Sequence, residues 1–257
     1  MKIAVVTGAS SGLGWEFIRQ IAKKDSEVEE IWALARRKER LLKLREECPL
    51  TVRPFVMDLT QEESIRELEE ILEKEKPDIS ILVNAAGFGK VGDYRQVNRQ
   101  ECDAMIAINC RAAVDVTMVC LPYMKEKSRI LEVCSTAAFQ PFPRLNVYAA
   151  TKAFLYRYSR ALAVELRRQK ITVTAVCPYW IKDTEFISIA KKTDNEREIR
   201  HFPLASRCKN VVAWALHDSR LGLPVSTPGP VCMIHRIAAK IFPSEIMMGI
   251  WAFLRRM

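Results

Sequence analysis

Tyr148 and Lys152 stand four residues apart in Tyr148-Ala149-Ala150-Thr151-Lys152, on a segment whose apolar positions continue through Leu155, Tyr158, Leu162 and Leu166. On a helix this spacing sets both side chains on one face. A phenol, with an ordinary pKa of about 10, is poorly matched to proton transfer at neutral pH, and a neighbouring ammonium corrects this by stabilising the phenolate. Such a pair is common by chance. Thirteen residues earlier, however, Val133-Cys134-Ser135-Thr136-Ala137 closes an apolar run with a hydroxyl, and Asn84-Ala85-Ala86-Gly87 and Asn109 follow other elements. These groups form a candidate proton-transfer constellation.

A second cluster lies at the N-terminus. The chain has nine glycines, and three fall in Thr7-Gly8-Ala9-Ser10-Ser11-Gly12-Leu13-Gly14, after an apolar run and before an amphipathic segment. Small residues there let backbone amides approach a pyrophosphate, and the positive end of the following helix adds partial charge, so Gly8, Ser10, Ser11, Gly12, Leu13 and Gly14 are candidate dinucleotide contacts. Gly8-Ala9-Ser10-Ser11-Gly12 also matches the Gly-x-Ser-x-Gly elbow of serine hydrolases, but only seven residues precede Gly8, leaving no earlier strand to lend an oxyanion amide. No Gly-Lys-Ser/Thr follows, which excludes a P-loop. The second apolar run ends in Ala35-Arg36-Arg37, where an NAD-binding chain would carry an acid for the ribose hydroxyls. Arg36 and Arg37 instead suit a 2'-phosphate, which favours NADP(H).

The elements that must position these groups are legible as alternation. Short apolar runs at Ile3 to Val6, Ile31 to Ala35, Val52 to Val56, Ile79 to Val83, Ile130 to Val133 and Ile171 to Val176 are separated by helical patterns, such as those around Leu41 to Leu44 and Ser64 to Leu72. Strand, helix, strand, helix predicts a Rossmann-type doubly wound α/β sheet, parallel and covered on both faces. Nothing resembles a linker, so residues 1–257 read as one domain, with 1–183 the cofactor-binding and catalytic core and 184–257 a substrate lid and tail. Val211 to Leu216 reads as a further helix after the polar stretch Lys191 to Arg200.

Composition narrows the partners. With 49% hydrophobic and 28% charged residues the chain is of ordinary globular type. Its net charge of +9 suits anionic ligands, but the basic residues lie in short scattered runs, without the patterns of nucleic-acid modules. Eight cysteines include no Cys-x-x-Cys pair, and His201, His217 and His235 lie 16 and 18 residues apart, so no metal site is expected. The N-terminal apolar run is too short for a signal segment, which predicts reduced thiols and a cytoplasmic setting.

Taken in order and spacing, the glycine loop, Asp58 after the third apolar run, Asn84-Ala85-Ala86-Gly87, Asn109, Ser135, Tyr148 and Lys152 make the chain resemble the short-chain dehydrogenase/reductase family over nearly its whole length. The resemblance implies that Tyr148 exchanges a proton with the substrate oxygen, Ser135 hydrogen-bonds that oxygen, Lys152 binds the nicotinamide ribose and lowers the tyrosine pKa, and Asn109 holds a relay water. It implies adenine contacts from Asp58 and Leu59, ribose contacts along Asn84, Ala85 and Ala86, and nicotinamide contacts from Pro178, Ile181 and Thr184. Two departures stand out. Ala85 replaces the more frequent second Asn, and Pro178-Tyr179 replaces Pro-Gly, with the following threonine displaced by one position to Thr184.

Tyr179 and Trp180, with Phe139, Phe142 and Phe186, would line a cleft for a large apolar substrate, or else fill core around the lid. Pro178-Tyr179 and the C-terminal Phe242-Pro243-Ser244 resemble the branch that holds 17β-hydroxysteroid dehydrogenases and long-chain 3-ketoacyl reductases. The nine apolar residues Ile246 to Leu254 are fewer than the roughly 20 a spanning helix needs. They could cover the cleft, pair subunits or lie on a membrane surface beside Arg255 and Arg256. The resulting expectation is an NADP(H)-dependent oxidoreductase interconverting a ketone and a secondary alcohol on an apolar molecule such as a hydroxysteroid or bile acid, as a homodimer or homotetramer. The alternatives are a long-chain 3-ketoacyl reductase and a catalytically idle NADP-binding sensor or scaffold.

Overall fold

The computed structural model describes residues 1–191 and 204–256. The polar stretch read from Lys191 to Arg200 falls, beyond Lys191, outside them. The first half runs β1 (Lys2–Thr7), α1 (Gly12–Lys24), β2 (Glu30–Ala35), α2 (Lys38–Glu47), β3 (Thr51–Val56), α3 (Glu62–Glu75) and β4 (Asp78–Asn84). The second runs α4 (Arg99–Ile106), a π-helical turn (Ala107–Arg111), α5 (Ala112–Cys120), β5 (Arg129–Val133), α6 (Asn146–Glu165) and β6 (Thr172–Val176). Then come α7 (Phe186–Ala190), α8 (Cys208–Arg220), β7 (Val225–Ser226), α9 (Pro230–Ile241) and α10 (Ser244–Arg256).

All strand pairs are parallel, in the order β3-β2-β1-β4-β5-β6-β7. The six apolar runs form six of these strands, each within a residue or two of its expected bounds. The seventh, β7, pairs two residues with β6 and is too short to leave a periodic signal. Its position is set by α8, which returns the chain to the sheet edge.

Continuous apolar strands are explained by burial on both faces. On one face α1, α2 and α8 cover the sheet with Phe17, Ile21, Leu41, Leu44, Val212 and Leu216. On the other, α3, α5 and α6 bring Leu68, Leu72, Val116 and Leu162. The segment Arg99–Tyr123 is long and apolar enough to cross a membrane by length and composition. Here it supplies Ala112, Val116 and Cys120 to the core on this second face.

Among the polar groups in the interior is Glu132 on β5, fully buried. Asn84 Nδ2 donates to its Oε1 at 2.9 Å, and Thr117 Oγ1 lies 3.0 Å from the same oxygen. Its Oε2 and Asn84 Oδ1 have no hydrogen-bond partner among the described residues. Desolvation pushes this carboxyl up from 4.5 to about 7, against the opposing pull of Asn84 and Thr117. The native chain therefore keeps a proton that the unfolded chain loses, and stability falls as pH rises from about 4.5 through about 7. Glu132→Gln keeps the accepting oxygen without the ionisation. It is expected to raise stability by up to about 3 kcal/mol at alkaline pH and to change little in acid, as measured by urea unfolding across pH. A stability difference independent of pH would show that the carboxyl titrates normally.

Candidate active site

The sheet ends in a crevice where the strand order reverses between β1 and β4, the place where open α/β sheets bind ligands. Tyr148 and Lys152 lie in the first turns of α6, both buried. Ser135, two residues past β5, caps a short 3-10 turn (Thr136–Phe139), its Oγ accepting from the Ala137 amide at 3.1 Å. Lys152 Nζ donates to the Val133 carbonyl at 2.7 Å and lies 5.9 Å from the Tyr148 ring centroid. Gly87 makes room behind it. A Cβ there would lie 2.6 Å from Asn109 Oδ1 and 3.5 Å from Lys152 Nζ.

The electrostatics differ from the expectation for Tyr148. Burial pushes its phenol above the ordinary range, with a hydrogen bond to Ser135 acting the other way. Burial likewise pulls Lys152 below the usual lysine value, opposed by nearby thiols and Glu132. The ammonium is aimed at a backbone carbonyl, so in this geometry it does not lower the phenol as the spacing alone suggested. A phenol that retains its proton is, however, well suited to give it to an alkoxide, a stronger base.

Asn109 lies in the π-helical turn, a local widening often found at functional sites. Its Nδ2 donates to the Phe88 carbonyl at 2.9 Å and to Thr151 Oγ1 at 3.0 Å, while its Oδ1 accepts from the Phe88 amide at 3.1 Å. The side chain expected to hold a relay water is thus engaged in tying the β4 exit to α6. Its contribution is to set the path of Gly87 and Phe88 past Tyr148 and Lys152.

One cavity of about 2240 Å³ joins this centre to the glycine loop. Gly8 has φ +66, and a Cβ on it would lie 2.8 Å from the Ala85 backbone, so only glycine lets the loop pass so close to β4. Thr7 Oγ1 accepts from the Ala85 and Ala86 amides at 3.0 and 3.1 Å, holding the two strand ends together. Ser11 caps α1 without a side-chain hydrogen bond, so the first amides of the helix keep their donors for a ligand. Gly8, Ser10, Ser11, Gly12 and Leu13 line the cavity, whereas Gly14 does not: it packs against the Gly8 carbonyl, where a Cβ would lie 2.4 Å away.

At the end of β2, Arg37 donates to Ser10 Oγ at 3.0 Å, Ser11 Oγ at 2.6 Å and Glu185 at 2.8 Å. Arg40 reaches the other Glu185 oxygen at 2.6 Å. The two guanidinium groups already hold an anionic oxygen pair beside the glycine loop, so the residues present fit a phosphate there. Arg40, one helical turn into α2, is a component that sequence reasoning missed; its signal was the i, i+3 spacing from Arg37. Arg36 is more exposed and lies 3.9 Å from Asp58. Asp58 also accepts from Thr60, and both Asp58 and Leu59 line the cavity, as do Ala85, Ala86, Pro178, Ile181 and Thr184.

Asn84, like Gly14, is a cofactor candidate that does not reach the cavity. Its side chain turns into the core to meet Glu132 and Thr117, because strand alternation points it away from the crevice that Ala85 and Ala86 border. In the substrate half, Ser135, Phe142, Tyr148, Tyr179 and Phe186 line the wall. Phe186 packs on Tyr148 at 5.5 Å between centroids and Trp180 at 6.2 Å. Phe139 is not on the wall, being drawn into an edge contact with Tyr156 at 5.5 Å. The sequence reading missed the contribution of α9, which supplies Ile234 and His235, whereas α10, for which a place over the cleft was one of the expected alternatives, supplies Met247, Ile250 and Trp251, with Phe242 from the link between the two helices. The amphipathic pattern of α9 was the available signal. Trp251 Nε1 donates to the Pro143 carbonyl at 3.0 Å and its ring meets Phe142 edge-on, so the tail helix packs over this end of the cavity.

Comparison with known proteins agrees with this geometry. Residues 2–195 match the family model described as short chain dehydrogenase. The chain is 32% identical over 198 residues to the NADP-dependent 3-hydroxy acid dehydrogenase YdfG of Salmonella typhi, covering 76% of this chain and 79% of that protein. Among solved structures, a short-chain dehydrogenase from Sphingobium yanoikuyae in complex with NADPH superposes with TM-score 0.78 at 25% identity, covering 98% of this chain and 96% of that one. The bulky-bulky ketone specific alcohol dehydrogenase from Comamonas testosteroni gives TM-score 0.74 at 25% identity, covering 98% and 94%. With the glycine loop, the Ser135, Tyr148 and Lys152 centre and the sheet order all in place, the chain belongs to the short-chain dehydrogenase/reductase family.

Proposed function

We propose that this protein is an NADP(H)-dependent oxidoreductase that interconverts a ketone and a secondary alcohol on a bulky apolar substrate, a hydroxysteroid or bile acid. The observation that carries this reading is a single cavity with an arginine pair beside the glycine loop, the Ser135 and Tyr148 oxygens on its wall, and an apolar cover from α9 and α10 beyond them. Gly8, Ser10, Ser11, Gly12, Leu13 and Arg37, with Arg40 beside them, would hold the phosphates, Asp58 and Leu59 the adenine end, and Lys152, Ile181 and Thr184 the nicotinamide end. When bound, NADP(H) supplies or takes up the hydride.

The chain's own residues handle the proton. Ser135 donates a hydrogen bond to the carbonyl oxygen as negative charge develops on it. Tyr148, protonated in its buried position, transfers its proton to that oxygen in reduction and recovers one from the alcohol in oxidation. Phe186 and Trp180 exclude water from the reacting face. The names of the relatives divide between a 3-hydroxy acid and a bulky ketone. The apolar wall of α9 and α10, which lies beyond the residues 2–195 that match the short chain dehydrogenase model, supports the bulkier class. A homodimer or homotetramer in the cytoplasm completes the reading, with exposed Met118 on α5 and Phe154 and Val164 on α6 as apolar surface for subunit contact.

Four experiments test it. A spectrophotometric screen of NADPH oxidation should give turnover on steroid or bile-acid ketones well above that on short 3-oxo acids; efficient turnover of 3-ketoacyl thioesters alone would move the assignment to that class, and cofactor binding without any turnover would favour a sensor. Tyr148→Phe should lower kcat by about a thousandfold while leaving NADPH affinity nearly unchanged by calorimetry, whereas Lys152→Ala should damage both. Arg37→Ala should weaken NADPH binding by roughly ten- to a hundredfold and NADH binding much less, since charge-assisted bonds of about 1.5–3 kcal/mol are lost only with the phosphate. Equal losses for both cofactors would place the phosphate elsewhere. Finally, deletion of residues 245–257 should raise the KM for bulky apolar ketones about tenfold and for acetone-sized ketones little, because it removes Met247, Ile250 and Trp251 from the wall.

A further inference from the structure

Two polar side chains interrupt the apolar wall of the substrate half: Gln140, five residues beyond Ser135, and His235, in the middle of α9. They contact each other, with His235 Nε2 3.0 Å from Gln140 Oε1. The amide is oriented by a second bond, since Gln140 Nε2 donates to the Met247 carbonyl at 3.4 Å. An amide oxygen can only accept, so the proton of a neutral imidazole must sit on Nε2. That leaves Nδ1 as an acceptor.

No donor among the described residues reaches Nδ1. Nor is it one of the side-chain atoms sealed from solvent without a partner, and the residue lines the cavity. The ring is held between two aromatic edges, Phe139 at 5.9 Å and 82° and Phe142 at 5.8 Å and 85°, and Phe142 is in turn braced by Trp251 at 5.1 Å. A fixed acceptor in such a wall is a costly group to leave unmatched, which makes it selective for a ligand with a donor there. Burial holds the imidazole below the usual histidine range, consistent with a neutral ring.

We propose that His235 is a second polar anchor of the substrate site, its Nδ1 accepting a hydrogen bond from a hydroxyl that the substrate carries at a distance from the reacting carbonyl. This rests on the oxidoreductase reading above and narrows its substrate class to hydroxyketones, and their diol products, on a bulky apolar skeleton. A carboxylate presents only acceptors to an acceptor, so the same anchor disfavours an acid end at that point. Gln140 is a positioning residue: it fixes the imidazole tautomer and, through Met247, couples the anchor to α10.

The test uses the full-length protein with NADPH and matched tetracyclic ketones that differ only by a hydroxyl, moved in turn around the ring farthest from the carbonyl. For at least one position the native protein should prefer the hydroxyketone over the deoxy ketone by about tenfold in kcat/KM, the worth of one buried hydrogen bond. In His235→Phe, which keeps the aromatic contacts, that ratio should fall to near one. In Gln140→Leu it should fall part of the way, and in His235→Asn, which retains an acceptor, it should stay above one. A merely structural clasp would alter both ketones alike and leave the ratio in place, which overturns the proposal, as does a native ratio near one at every position. Absence of turnover on every tetracyclic ketone with the native protein would instead overturn the oxidoreductase reading for this class, and the anchor with it. Should His235→Phe fail to fold, judged by circular dichroism and NADPH binding, the ratios of Gln140→Leu and His235→Asn decide between these outcomes.

Discussion

The close approach of the β1 and β4 ends is the constraint on which the site depends. Gly8 lies so near the Ala85 backbone that any side chain would collide, and Thr7 binds both the Ala85 and Ala86 amides. Closing this junction opens the crevice above it, directs the first amides of α1 into the crevice, and sends the chain onward through Gly87 to Asn109 and Lys152. The phosphate end and the proton-transfer end are therefore two consequences of one backbone contact. Gly14, packed on the Gly8 carbonyl, brings α1 into the same arrangement from the other side.

Desolvation then assigns the protonation states around that junction. Tyr148, Lys152, Glu132 and His235 are all shifted toward their neutral forms by burial, the carboxyl and phenol upward and the ammonium and imidazole downward. Glu132 and Lys152 are close enough to influence each other, yet Lys152 directs its hydrogen bond to the Val133 carbonyl. The cost of burying these groups is offset partly by hydrogen bonds to their neighbours: Glu132 to Asn84 and Thr117, Lys152 to the Val133 carbonyl, and His235 to Gln140. It also leaves Tyr148 holding a proton next to Ser135, in a wall otherwise built of Phe142, Phe186 and the tail helices.

Glu185 links the two halves of the cavity. Its carboxylate is gripped by Arg37 and Arg40 at the phosphate end, while the next residue, Phe186, lies on the Tyr148 ring. Thr184, just before it, lies within van der Waals reach of the space beside Gly12. Three successive residues, Thr184, Glu185 and Phe186, thus stand beside the glycine loop, in the grip of the arginine pair and on the Tyr148 ring.

The sequence by itself determined the sheet and the family. Continuous apolar runs of this length suit strands covered on both faces, so six strands and their parallel connection followed from the alternation of those runs with helical patterns. The spacing from Tyr148 to Lys152 and the glycines around Ser10 specified local geometry, which a helix turn and a strand-to-helix turn convert directly into position. The tertiary structure decided what no periodicity encodes. Asn84 turned inward to Glu132, Asn109 became a backbone tie, Phe139 went to Tyr156, and Arg40 joined Arg37 around Glu185. The partners in each case are separated in the chain, and a side chain's neighbours there depend on how layers pack. His235 illustrates this most clearly: isolated in sequence, 95 residues from Gln140, it acquires a defined tautomer and a defined acceptor only when α9 closes over the loop beyond β5.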